Sequence, residues 1–282
     1  MELFEKVGDL KSRLNEISAN GKTVGFVPTM GALHLGHISL VKQCVLENDY
    51  CVVSIFVNPT QFNDPKDLKN YPRFLENDLA LLKETNCQII FAPPESEIYP
   101  EPDNRVFPLG ELETVMEGKQ RPGHFQGVAK VVSRLFDIVK PYRAYFGEKD
   151  YQQIAIIRRM LEITGQPVEI ISCPILREPD GLALSSRNML LTPKHRQQAS
   201  LIGKTLLEAR NKANEMSVKE LSEWVVKQIN ASPLLEVEYF ELANAKTLMP
   251  IDQWHSDEPA VGCIAVKAGE VRLIDNVKFD SK

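Results

Sequence analysis

The chain has no apolar run near the roughly 18 to 20 residues that a membrane-spanning helix needs; stretches such as residues 52–57 are far shorter. No membrane partner is expected. It also lacks any Cys-x-x-Cys pair. The five cysteines, Cys44, Cys51, Cys87, Cys173 and Cys263, are scattered and odd in number, which excludes a disulfide framework and offers no zinc site. A reducing compartment fits that usage. The amino terminus, Met1-Glu2-Leu3-Phe4-Glu5-Lys6, is mixed in charge and has no signal-peptide core, so a cytoplasmic protein is expected. Nor is there an excess of positive charge: 33 Lys and Arg stand against 38 Asp and Glu, a formal net charge of -5. Binding to a nucleic-acid backbone rests on clustered cations, so no nucleic-acid partner is expected. A nucleotide site needs only a few local cations and oriented backbone amides and remains compatible with an acidic surface.

What is present is the balance of a folded protein, 43% hydrophobic and 25% charged. At 282 residues, one large domain plus a smaller one is expected. There is no internal repeat and no low-complexity segment. Over the first two thirds, short runs rich in Val, Ile and Phe predict strands at Thr23–Pro28, Cys51–Asn58, Gln88–Ala92, Ala144–Gly147 and Val168–Cys173. Helical spacing lies between them at Ile38–Glu47, Leu75–Glu84, Gly127–Val139 and Gln152–Thr164. Nearly all-apolar strands alternating with helices predict an α/β fold, a doubly wound, Rossmann-like parallel sheet covered on both faces. After about residue 180, helices at Pro193–Met216 and Val218–Asn230 precede strands at Leu235–Leu242, Val261–Lys267 and Val271–Ile274. That order predicts a small α+β domain. The expected division is 1–180 and 181–282, with the boundary near Arg177–Leu184.

Ligands of doubly wound sheets bind beyond the carboxyl ends of the strands. Three segments therefore come forward: Pro28-Thr29-Met30, Asn58-Pro59-Thr60-Gln61 and Gly147-Glu148-Lys149-Asp150. The first continues as Gly31-Ala32-Leu33-His34-Leu35-Gly36-His37 into a predicted helix. A glycine-bearing turn at a helix start lets backbone N–H groups approach phosphate. His34 and His37, three apart, fall about 60° apart around a helical axis and can face one ligand. A strand-to-helix corner with two surface histidines is the other reading. Read alone, Gly147–Asp150 is equally an exposed charged turn, and 177–188 an interdomain linker.

Several segments resemble one family in the same order. They are Pro28–His37; Ser54–Phe62 (SIFVNPTQF); Arg121-Pro122-Gly123-His124-Phe125; Phe146–Gln153 (FGEKDYQQ); Asp180–Asn188 (DGLALSSRN); and the closing Arg272-Leu273-Ile274-Asp275-Asn276. The chain resembles the pantothenate synthetases, of the HxGH nucleotidyltransferase superfamily, over nearly its whole length. That resemblance implies ATP-dependent joining of pantoate to β-alanine through a pantoyl adenylate, in a homodimer. It implies ATP contacts at Met30, Gly31, Ala32, Leu33, His34, Leu35, Gly36 and His37, at Gly147, Glu148, Lys149 and Asp150, and at Leu176, Leu184, Ser185, Ser186 and Arg187. His37, His34 and Lys149 become the catalytic group. Gln61 becomes the contact for pantoate and then β-alanine, and Gln153 a pantoate contact. Mg²⁺ is implied with the nucleotide, and no organic redox cofactor. No dense carboxylate cluster marks a protein-made metal cage, and Asp78 reads as a solvated helical acid, with an outer-sphere metal role as the alternative. Three other functions compete: another nucleotidyltransferase sharing the H-x-G-H turn, an aminoacyl-tRNA synthetase, which would carry a Lys-rich second signature where Leu184-Ser185-Ser186-Arg187 stands, and a non-catalytic nucleotide sensor.

Overall fold

A computed structural model of the chain describes residues 1–279. The chain divides into two compact units. The first holds Met1–Glu113, Arg121–Glu148 and Gln153–Pro174; the second holds Thr114–Gln120, Lys149–Gln152 and the chain from Ile175 onward.

Among the described residues, six strands make the sheet of the first unit: β1 (Glu2–Phe4), β2 (Val24–Thr29), β3 (Tyr50–Ile55), β4 (Ile89–Phe91), β5 (Arg143–Gly147) and β6 (Glu169–Cys173). All the pairings are parallel and the order is β1-β4-β3-β2-β5-β6. The helices up to β6 are α1 (Val7–Ala19), α2 (Leu35–Glu47), α3 (Pro65–Asn70), α4 (Leu75–Lys83), α5 (Glu95–Ile98), α6 (Met116–Gln120), α7 (His124–Val139) and α8 (Tyr151–Thr164), of which α6 and the first two residues of α8 belong to the second unit. The doubly wound parallel sheet predicted from the alternating pattern is the one observed. One core gathers Phe26, Val52, Ile89 and Phe91 with Leu10 and Leu14 of α1 and Val128, Val132 and Phe136 of α7; the other sets Val27, Val53 and Ile90 against Val41 and Cys44 of α2. Neighbouring residues of each strand thus feed opposite layers, as a two-fold pleat requires.

Five elements lie outside the sequence-based expectation: β1, α1 and the short helices α3, α5 and α6. The third strand is also shorter than expected, ending at Ile55 rather than Asn58. Asn58 instead caps a 3-10 turn at Pro59–Gln61, and the buried side chain of Asn58 replaces the sheet as partner of the local backbone.

The second unit carries α9 (Pro193–Lys212), α10 (Val218–Asn230) and an antiparallel sheet β7 (Glu236–Asn244), β8 (Ala260–Ala268), β9 (Val271–Phe279). In α10, Val218, Leu221, Val225 and Ile229 form one buried stripe, and Ser217 with Glu220 closes a reciprocal capping box. Pro193 follows the capping Thr192 at the start of α9. Both helices bury their stripes with Phe240, Ile264, Val266 and Leu273 of the sheet. Gly269, at φ 63°, turns β8 into β9.

Candidate active site

Order in the first unit's sheet reverses beside β2: β3 and β4 lie to one side, β5 and β6 to the other. The Met30–His37 segment leaves β2 at this reversal. Gly31 and Ala32 both take positive φ, 78° and 49°. Such a pair of turns needs outside support for Ala32, and Asp78 of α4 supplies it. Its Oδ2 accepts from Ala32 N at 3.0 Å and its Oδ1 from Leu33 N at 2.7 Å. Asp78 is 2% exposed, which corrects the expectation of a solvated acid. Burial pushes its carboxyl above the ordinary carboxylate range, opposed by the N–H groups of Leu33 and Ala32.

His34 is the N-cap of α2, with extended backbone, and lies outside the helix. Its Nδ1 accepts from Gly36 N at 3.1 Å, while His37 Nδ1 accepts from His34 N at 3.3 Å. The ring centroids lie 4.1 Å apart, with the planes tilted by 40°. That is a capping arrangement, in place of two positions on one helical face. It also fixes the tautomer: with both Nδ1 atoms accepting, each neutral ring carries its proton on Nε2.

Gln61, buried at 9% exposure, stands at the end of the turn after β3. Its Nε2 meets the Met30 sulfur at 3.0 Å, so the structure joins the first motif to the second. Asn58 Nδ2 donates to Gln61 Oε1 at 3.1 Å and to Gly127 O at 3.2 Å; its Oδ1 accepts from Tyr99 OH at 2.8 Å. The backbone carbonyl of Gln61 accepts from His124 Nδ1 at 2.7 Å, and Arg121 Nη1 lies 3.3 Å from His124 Nε2. A carbonyl only accepts and a guanidinium only donates, so His124 carries its proton on Nδ1. α7 passes so close that a Cβ on Gly127 runs into the Thr60 carbonyl. Gln153 is half-buried in the same unit and makes no hydrogen bond to Gln61 among the described residues.

In the second unit, Lys149 pairs with Asp150 at 3.3 Å, and the Lys149 carbonyl accepts from Asn276 Nδ2 at 3.0 Å. Leu176 and Leu184 are brought together: Leu184 N donates to Leu176 O at 3.0 Å, closing a narrow turn with Gly181 at φ 96°. The turn leads to Ser185, whose Oγ accepts from Arg187 N at 3.3 Å and caps the 3-10 turn Ser186–Leu190. Gly147 and Glu148 end the first unit's segment after β5, and a Cβ on Gly147 meets nothing within 4 Å.

Sequence reasoning gave no role to Tyr99, left Asn58 and His124 as unassigned members of their motifs, and weighed Asp78 only as a solvated acid or an outer-sphere metal contact. Asn58 carries a usable signal, an Asn directly before a Pro at the first position of a turn. Asp78 carries none, since its partners lie 45 and 46 residues away.

A glycine-bearing turn at the reversal of strand order, opening a helix capped by two imidazoles, defines a nucleotide-binding α/β enzyme. The pantoate-beta-alanine ligase profile matches residues 2–278. The chain is 54% identical over 280 residues to a pantothenate synthetase of Porphyromonas gingivalis, covering 99% of this chain and 100% of that one. A solved pantothenate synthetase of Thermus thermophilus superposes with TM-score 0.92 at 45% identity, over 98% of this chain and 99% of that one. A Francisella tularensis pantoate-beta-alanine ligase, solved with β-γ ATP and β-alanine, superposes with TM-score 0.82 at 37% identity, over 98% and 97% of the two chains. The chain belongs to the pantoate–β-alanine ligase family and is an enzyme of the ligase class.

Proposed function

We propose that this chain condenses (R)-pantoate with β-alanine at the expense of ATP, giving pantothenate, AMP and pyrophosphate through a pantoyl adenylate. The observation that carries the reading is the link between Gln61 and Met30: an amide able to grip a hydroxy acid stands against the turn that carries the two imidazoles. Family membership and the ATP and β-alanine in the Francisella relative support it.

In the first step a pantoate carboxylate oxygen attacks the α-phosphorus of ATP and the bond to pyrophosphate breaks. The Nε2–H groups of His34 and His37 stabilise charge growing on the phosphates, and Lys149 adds an ammonium. In the second step the β-alanine amine attacks the acyl carbon and AMP leaves. Positioning and charge stabilisation suffice, and no covalent enzyme nucleophile is needed. Met30–His37 bind ATP in this reading, Gly147–Asp150, Leu176 and Leu184–Arg187 add nucleotide contacts, Gln61 holds pantoate and then β-alanine, and Gln153 holds pantoate.

Mg²⁺ enters with the nucleotide. Both Asp78 oxygens are taken by backbone N–H groups, which leaves this carboxylate poorly placed to serve as a ligand. The protein acts in the cytoplasm as a homodimer, which sedimentation of the purified enzyme tests; no helix among the described residues is long and apolar enough to cross a membrane. AMP release that requires pantoate and β-alanine together is the expected assay result. Release that ignores either substrate overturns the proposal.

A further inference from the structure

The closing Arg272–Asn276 segment has no part in the chemistry above, yet its last two residues are buried and polar: Asp275 is 4% exposed and Asn276 3%. They are neighbours on β9. Successive strand residues point to opposite faces, and these two side chains reach different segments. Asp275 takes the Arg177 guanidinium through two contacts, at 2.6 and 2.9 Å. Arg177 in turn donates to Gly181 O at 3.1 Å and to Asn276 O at 3.2 Å. The turn between Leu176 and Leu184 is thereby fastened to β9, and Asn188, donating to Glu178 Oε1 and Ala183 O at 3.1 Å each, fastens Ser185–Arg187 to that turn. Asn276 Nδ2 reaches Lys149 O at 3.0 Å, 127 residues away.

We propose that Asn276 is a positioning residue for Lys149, and that Asp275 with Asn276 sets the stance of both phosphate-contacting segments of the second unit. The inference rests on the reading of Lys149 and Ser185–Arg187 as phosphate contacts. A backbone carbonyl held by a buried amide fixes where the Lys149 side chain starts; without it the 3-10 turn Glu148–Asp150 has freedom to move the ammonium off the developing charge. Arg177, gripped from two sides by a buried carboxylate, gives the other segment a rigid base.

The test uses the full chain and four proteins: the natural enzyme, Asn276→Ala, Lys149→Ala and the double variant. Asn276→Leu, which keeps the volume, replaces Asn276→Ala if that protein does not fold. Pantoate-dependent exchange of pyrophosphate into ATP is measured at saturating substrates, and amide hydrogen exchange is followed over residues 148–153. The expected result is a loss of about tenfold for Asn276→Ala, faster amide exchange over 148–153, and no further loss when Asn276→Ala is added to Lys149→Ala. A double variant that loses the full tenfold beyond Lys149→Ala overturns the proposal, because Asn276 then acts by another route. So does unchanged pyrophosphate exchange in Asn276→Ala. Should Lys149→Ala itself remain fully active, the reading of Lys149 fails instead. The amide exchange then decides the positioning claim alone, and unaltered protection over 148–153 overturns it.

Discussion

Oδ1 of Asp78 stands 2.7 Å from the backbone nitrogen of Leu33, joining helix α4 to a turn 45 residues earlier. With Oδ2 on Ala32 N, this carboxylate holds the positive-φ turn from which α2 starts. Asp78→Ala leaves two N–H groups without their acceptor and is expected to cost about 2 kcal/mol of stability and to raise the KM for ATP. Asp78→Asn retains one acceptor and should lose less in both. Denaturant unfolding and ATP titration of the exchange reaction check the pair. Equal KM values for ATP in all three proteins remove Asp78 from the support of this turn.

The raised carboxyl of Asp78 gives a pH dependence whose sign differs between stability and activity. A group that holds its proton more readily when folded contributes stability below its unfolded pKa and loses it as pH rises through the raised folded value. Activity runs the other way, because only the carboxylate accepts both N–H groups. The expected profile of kcat/KM for ATP has an acid limb above the ordinary carboxylate range that is missing from Asp78→Asn. An identical limb in the variant assigns it to another group.

How much of this was legible from residues alone depended on where each partner lay. α10 was found to the residue, because its apolar stripe and its cap, Ser217 with Glu220, sit inside the same local stretch. α1 was missed although Leu10, Leu14 and Ile17 form a buried stripe. Its cap position, Lys6, supplies no side-chain bond, and Val7 N is instead satisfied by Glu97 Oε2 at 2.7 Å, 90 residues on. β1 is three residues long and takes its pairing from β4, so no local period announces it. In the site, the turn after β2 was readable from its glycine and histidines. The clamp of Asp78 and the His124 bond to Gln61 were not, since both are contacts between segments distant in sequence.

His34 and His37 share the cap of α2: the His34 side chain accepts from Gly36 N, and the His37 ring accepts from His34 N. In the proposed function the His37 ring is in addition a donor to the phosphates. His37→Ala should lower adenylation on the order of 10² to 10³-fold, a loss far larger than the small fall in Tm that follows from its lost bond to His34 N. His34→Ala should lower activity and also stability, by about 1 kcal/mol for the lost cap. Exchange rates and thermal melts of both variants check this, and a His37→Ala enzyme of near-normal turnover contradicts the donor role.

Gly127 tests whether Gln61 is held from behind. Since a Cβ at this position runs into the Thr60 carbonyl, Gly127→Ala forces α7 and the Pro59–Gln61 turn apart. About 1 to 3 kcal/mol of destabilisation is expected from such overpacking, together with a raised KM for pantoate and a smaller effect on ATP. A variant that is less stable but binds both substrates normally shows that Gln61 keeps its place without α7.

The stepwise route makes the sharpest demand. If pantoate attacks ATP first, labelled pyrophosphate exchanges into ATP when pantoate is present and β-alanine is absent. Gln61 faces the Met30 turn and serves both substrates in this reading, so Gln61→Ala should impair exchange and overall synthesis together. Arg187, in the same reading, acts on phosphate oxygens alone. Arg187→Ala should therefore damage exchange while leaving the attack of β-alanine on supplied pantoyl adenylate much less affected, because the second step no longer carries the departing pyrophosphate. Equal losses in both half-reactions take Arg187 out of the phosphate role. An exchange signal that strictly requires β-alanine defeats the adenylate route itself, even in an enzyme that makes pantothenate.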